Sequence, residues 1–92
     1  MAPRLRPAGA PADRQGRERE VRRLKRQLAD LERQIGEKEQ AVRDLEHLMS
    51  SPELYADRVQ ADKVAADHKA MTADVARLLA EWESLQGEAD LS

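Results

Sequence analysis

Three observations predict an all-α fold: a two-helix antiparallel coiled-coil hairpin with a disordered basic N-terminal linker. Apolar residues recur at alternating steps of three and four along two long segments. A single break, Ser51-Pro52-Glu53-Leu54-Tyr55-Ala56-Asp57, separates those segments. Aromatics make up only 2% of the 92 residues and charged residues 37%, which suits a long packing seam and not a compact core of large rings. The expected organisation is a flexible basic linker over 1–16 and a hairpin over 17–89, with helices at about 17–49 and 58–88 around a tip at 50–57.

The linker expectation rests on residues 1–12, which hold prolines at 3, 7 and 11 among Ala, Gly and Arg. Such a segment buries too little apolar surface to offset its ordering entropy. A basic linker in this place is expected to follow a preceding part of a longer protein. The first helix is expected to start between Asp13 and Arg17, with Asp13 a candidate cap. With Val21 at heptad position a, Leu24, Leu28, Leu31, Ile35, Val42, Leu45 and Met49 complete the a/d seam, and Lys38 interrupts it. A lysine stem can lie along such a seam, and a polar seam residue can fix register at some cost in stability.

At the break, Ser51 and Pro52 read as an N-cap and first-turn proline of one short turn. Asp57 with Gln60 three residues on matches a capping box for the second helix. Leu54 and Tyr55 are expected to fold back over the tip. The second seam runs Ala61, Val64, His68, Met71, Val75, Leu78, Trp82, Leu85 and Ala89, with Leu79 widening it. Trp82 and His68 are therefore expected inside the seam, Trp82 as a core aromatic. The favoured register opposes Leu28 with Leu85, Leu31 with Trp82, Ile35 with Leu78 and Val42 with Met71, a seven-residue slip being the alternative.

Chemistry is largely excluded. With no cysteine there is no disulfide, thiolate zinc site or Cys nucleophile. Gly9, Gly16, Gly36 and Gly87 are isolated, so no phosphate-binding loop exists, and neither His47 nor His68 has a second ligand at metal spacing. Paired charges such as Glu18 with Arg22 and Glu39 with Arg43 are expected to be ordinary i,i+4 helix pairs. No catalytic residue, cofactor or metal is expected; this stretch is not an enzyme, since an exposed coiled coil offers no desolvated pocket to tune an acid or base. No apolar run reaches membrane-spanning length and no secretory signal pattern opens the chain, which permits a cytoplasmic setting.

The formal charge of −2 conceals an asymmetry: residues 1–26 hold nine Lys or Arg against three acids, a net +6, leaving −8 for the rest. Arg19, Arg22, Arg23, Arg26 and Arg33 fall at b, c or f and line the outer face over about four turns. With Arg14, Arg17 and the linker arginines they form the footprint expected of a nucleic-acid backbone binder. The plainer reading of the same stripe is a solvated face. Two further readings stay open: a protein-interaction coiled coil using the acidic second helix, and a tRNA-binding hairpin like those at the end of some aminoacyl-tRNA synthetases.

Leu45-x-x-Leu48/Met49 leading into Ser51-Pro52-Glu53-Leu54-Tyr55, then a heptad helix ending Leu78-Leu79-Ala80-Glu81-Trp82-Glu83-Ser84-Leu85, resembles the C-terminal coiled-coil domain of ABC-F ATPases, especially the Uup type. That domain carries a Leu-x-Asp-Pro-Glu-Leu-Tyr tip and a terminal Trp-Glu-x-Leu. Here Ser51 stands where the pattern has Asp, and the proline common soon after the tyrosine is absent. The resemblance spans about 17–88. It implies two ATP-binding cassettes upstream, a cytosolic protein without membrane-spanning domains that acts on or near the ribosome, and a nucleic-acid-binding role (DNA or ribosomal RNA) for this arm.

Overall fold

The computed structural model describes the backbone of residues 5–91 and the side chains of residues 14–91. Helix α1 spans Leu5–Met49, a 3₁₀ turn spans Pro52–Ala56, and helix α2 spans Arg58–Leu91. The helices lie side by side in a rod 82 Å long and 16 × 14 Å across. Among the described residues there is no strand.

The pairing is antiparallel and follows the favoured register. Leu31, Ile35 and Leu78 are buried together, with Trp82 and Leu85 packed against them. Three bonds across the hairpin fix the same alignment: Trp82 to Glu32, Lys38 to Asp74, and His68 to Glu46. A slip by one heptad would move each of these partners by about 10 Å along the axis. The buried seam comprises Leu24, Leu28, Leu31 and Ile35 on α1 and Val64 and Leu78 on α2. Val42, Leu45, Met49, Met71, Val75 and Leu85 are half-buried. No described side chain is fully enclosed, because a two-helix seam has neighbours on one side only.

Lys38 now has a role. Its ammonium meets the Asp74 carboxylate at 3.2 Å across the seam, each side chain about a third exposed. Trp82, expected as a core aromatic, is only half-buried; its indole N–H donates to Glu32 at 3.3 Å. The ring is too large for a position flanked by only one facing helix, so its polar edge turns outward to a carboxylate. His68 is likewise half-buried, with its Nε2 at 3.1 Å from Glu46.

At the tip the chain reverses without glycine and without a positive φ. The Ser50 N–H donates to the Glu46 and His47 carbonyls, and that of Ser51 to the Leu48 carbonyl, closing α1. Ser51 is extended, as a residue before proline should be, and its hydroxyl donates to Glu53 and not to the backbone. Asp57 caps α2 by accepting the Gln60 N–H at 3.2 Å. Its own N–H donates to the Leu54 carbonyl, so only one half of the expected capping box is used. Leu54 is half-buried, whereas the Tyr55 ring is exposed, with its hydroxyl donating to the Met49 carbonyl at 2.6 Å.

At the other end α1 begins at Leu5, well ahead of the expected start near 17. Of the expected linker 1–16, residues 1–4 lie outside the described residues and 5–16 continue the helix. Ala8, Ala10 and Ala12 favour the helical backbone, and Pro7 falls in the first turn, where its missing N–H has no carbonyl to serve. Helix α2 runs past the expected end at 88 to Leu91.

Candidate nucleic-acid interface

The register decides what surrounds the arginines. Counting outward from Ile35 opposite Leu78, the last helical residue Leu91 lies level with Arg22. Ahead of that level, α1 runs unaccompanied by α2 among the described residues. The heptad continues there, but its a and d positions change character: Leu24 and Val21 give way to Arg17 and Arg14. Seam positions become cationic beyond the level of Leu91, the last described helical residue.

Arg14, Arg17, Arg19, Arg22, Arg23, Arg26 and Arg33 are all exposed. The first six spread over roughly two thirds of the helix circumference at 100° per residue. Arg14, Arg17, Glu18, Val21 and Arg22 border an open groove of about 380 Å³. This end is a basic helix approachable from several sides, not only a stripe on an outer face.

The seven arginines are not equivalent. Arg23 is held by Glu20, with a contact of 2.5 Å. Arg33 is held by Asp30 at 2.5 Å and by Glu37 at 3.0 Å. The hydrogen bond from Arg23 lowers the affinity of the Glu20 carboxylate for protons, and bonds from Arg33 and then Gln34 do the same to Asp30. Their charge is therefore locally neutralised. Arg14, Arg17, Arg19, Arg22 and Arg26 form no ion pair with a described residue, and neither does exposed Lys25, which the stripe had omitted. The expected pairs Glu18–Arg22 and Glu39–Arg43 do not form; Arg43 bonds Gln40 instead. The missed pairs had a visible signal: Glu20 and Asp30 stand three residues before an arginine, and Glu37 four after one.

Among the described residues no group of His, Asp and Glu is arranged to hold a metal ion. None of the described helices is long and apolar enough to cross a membrane.

No curated protein and no solved structure matches the chain. One family model does, that of the ABC transporter C-terminal domain, over residues 19–87, which takes in the seam of both helices and the tip between them. The resemblance carried by the tip and the terminal tryptophan is thus borne out, and this chain belongs to the family of ABC transporter C-terminal domains.

Proposed function

We propose that the chain is the nucleic-acid-binding arm of an ABC-F type ATPase, holding DNA or ribosomal RNA by its phosphate backbone. One observation carries this reading. Five arginines without an ion pair to a described residue, Arg14, Arg17, Arg19, Arg22 and Arg26, cluster around the level of Leu91, and beyond it the seam positions turn from Leu and Val to Arg. A solvated face would need no arginine at Arg14 and Arg17, whereas a helix entering a groove about 12 Å wide meets phosphates on both flanks. Guanidinium forks match phosphate oxygens. In this reading the cassettes lie upstream, the protein works in the cytoplasm at or near the ribosome, and the arm itself performs no catalysis.

The test is a salt-dependent titration of the 92-residue chain with a duplex oligonucleotide. Binding should show little sequence preference and a log–log salt slope of about −4, near −0.9 for each of four or five phosphates neutralised. Changing Arg19, Arg22 and Arg26 together to Glu should abolish it while the helical content stays unchanged. Undiminished binding by that variant, or binding indifferent to salt, would sink the reading in favour of a protein partner along acidic α2.

A further inference from the structure

The far end of the rod has the opposite chemistry. Of the exposed large apolar residues, Tyr55 lies in the tip and Leu48 and Val59 in the helix turns that flank it, exposed by 59%, 48% and 75%. Beside them is a depression of about 360 Å³. Val64 is its buried floor, Leu54 a half-buried wall and Leu48 part of its mouth, while Glu53, Asp57 and Gln60 border it. Its apolar lining would gain by taking an aliphatic side chain from water.

Charge selects the occupant. Residues 44–62 hold five acids, Asp44, Glu46, Glu53, Asp57 and Asp62, against one arginine. That arginine, Arg58, faces Asp62 at 3.9 Å and so does not neutralise the rim. The Ser51 hydroxyl keeps the Glu53 carboxylate ionised to lower pH than usual. A phosphate backbone would be repelled here. A protein surface with an aliphatic side chain flanked by Lys or Arg would satisfy both the apolar floor and the acidic border. The tip is also held in shape before any partner arrives, by the Tyr55 bond to Met49 and the Asp57 cap.

We propose that the tip depression is a protein-docking site for a basic-apolar surface, separate from the arginine-rich end. It does not depend on what the arginines bind. The rod would then join two partners of opposite charge, nucleic acid at its base and a cationic protein surface at its tip.

Amide-shift mapping of the 92-residue chain tests this with three synthetic peptides and a short duplex RNA. The first peptide is an amphipathic helix with Leu at a and d and Lys elsewhere; the second has Ser for Leu; the third has Glu for Lys. The first should shift amides at 48–60 in preference to the rest of the chain, and the other two should leave them unmoved. Glu53→Gln and Leu48→Ser should each weaken the first peptide about fivefold with helical content unchanged. Equal binding by the Ser peptide, shifts spread along all acidic faces, no shift at the tip, or tip shifts caused by the RNA would each overturn the proposal. Should Leu48→Ser lose helix, Glu53→Gln alone decides: unchanged affinity refutes the acidic rim.

Discussion

Replacing Lys38 by leucine should raise the stability of the hairpin while loosening its register. The Lys38–Asp74 pair is a third exposed on both sides, so it contributes at most about 1 kcal/mol. Lys and Leu have nearly equal helix propensity, so the backbone is indifferent to the exchange. A leucine in that place would continue the apolar line from Ile35 to Val42, and burying about two thirds of it contributes roughly 1.5–2 kcal/mol. Asp74 would retain Arg77 at 3.8 Å. The net gain is about 0.5–1 kcal/mol, or a melting temperature higher by about 3–6 °C for a domain of this size. Circular dichroism melts of Lys38→Leu against the parent measure this. Register is read separately by Glu46→Cys with His68→Cys, whose parent side chains meet at 3.1 Å. That pair should crosslink quickly in the parent background and less completely when Lys38→Leu is added, because the polar pair no longer penalises a slip. A fall in melting temperature, or crosslinking unaffected by the substitution, would refute the assignment of Lys38 to register over stability.

Three other outcomes follow from the same geometry. Trp82→Ala should cost about 2 kcal/mol in chemical denaturation, below the range for an enclosed aromatic because the ring is half-exposed; a loss above about 4 kcal/mol would show it enclosed. Acidification should weaken the fold: Glu20, Asp30 and Glu53 have lowered folded-state pKa values, so their stabilisation is complete above the ordinary carboxylate range near pH 4–5 and is lost as pH falls through the lowered values, which melts at about pH 7, 4 and 2.5 would register. Arg33→Gln should alter oligonucleotide affinity less than Arg22→Gln, since Asp30 and Glu37 already occupy its guanidinium; the reverse order in a titration would contradict the division of the arginines.

The a/d spacing made the fold legible and narrowed the register to alignments a heptad apart; the packing of Leu31, Ile35 and Leu78 and the bonds of Lys38, His68 and Trp82 across the hairpin choose between them. The tip was legible through Pro52 and Asp57, whose backbone preferences act locally. Trp82 was less so: heptad position says which side a residue faces, not how deeply two helices can cover a ring that size. The basic end was read as a set of seven equal charges, but side-chain reach decides which carboxylate each arginine finds, and Glu20 and Asp30 win theirs through i,i+3 proximity. The cationic turn of the seam at Arg17 and Arg14 was present in the sequence. It acquired meaning only once the register set Leu91 level with Arg22, so that Arg17 and Arg14 face no described residue of α2.

Two helices bonded side by side over some 50 Å resist bending far more than one, since flexing the pair must stretch contacts on one helix and compress them on the other. Such a rod converts rotation at its foot into travel at its end: about 10° of tilt carries the tip roughly 9 Å. The hairpin is thus built as a pointer, turning small angular strokes at its foot into displacements at its tip large enough to make or break a contact.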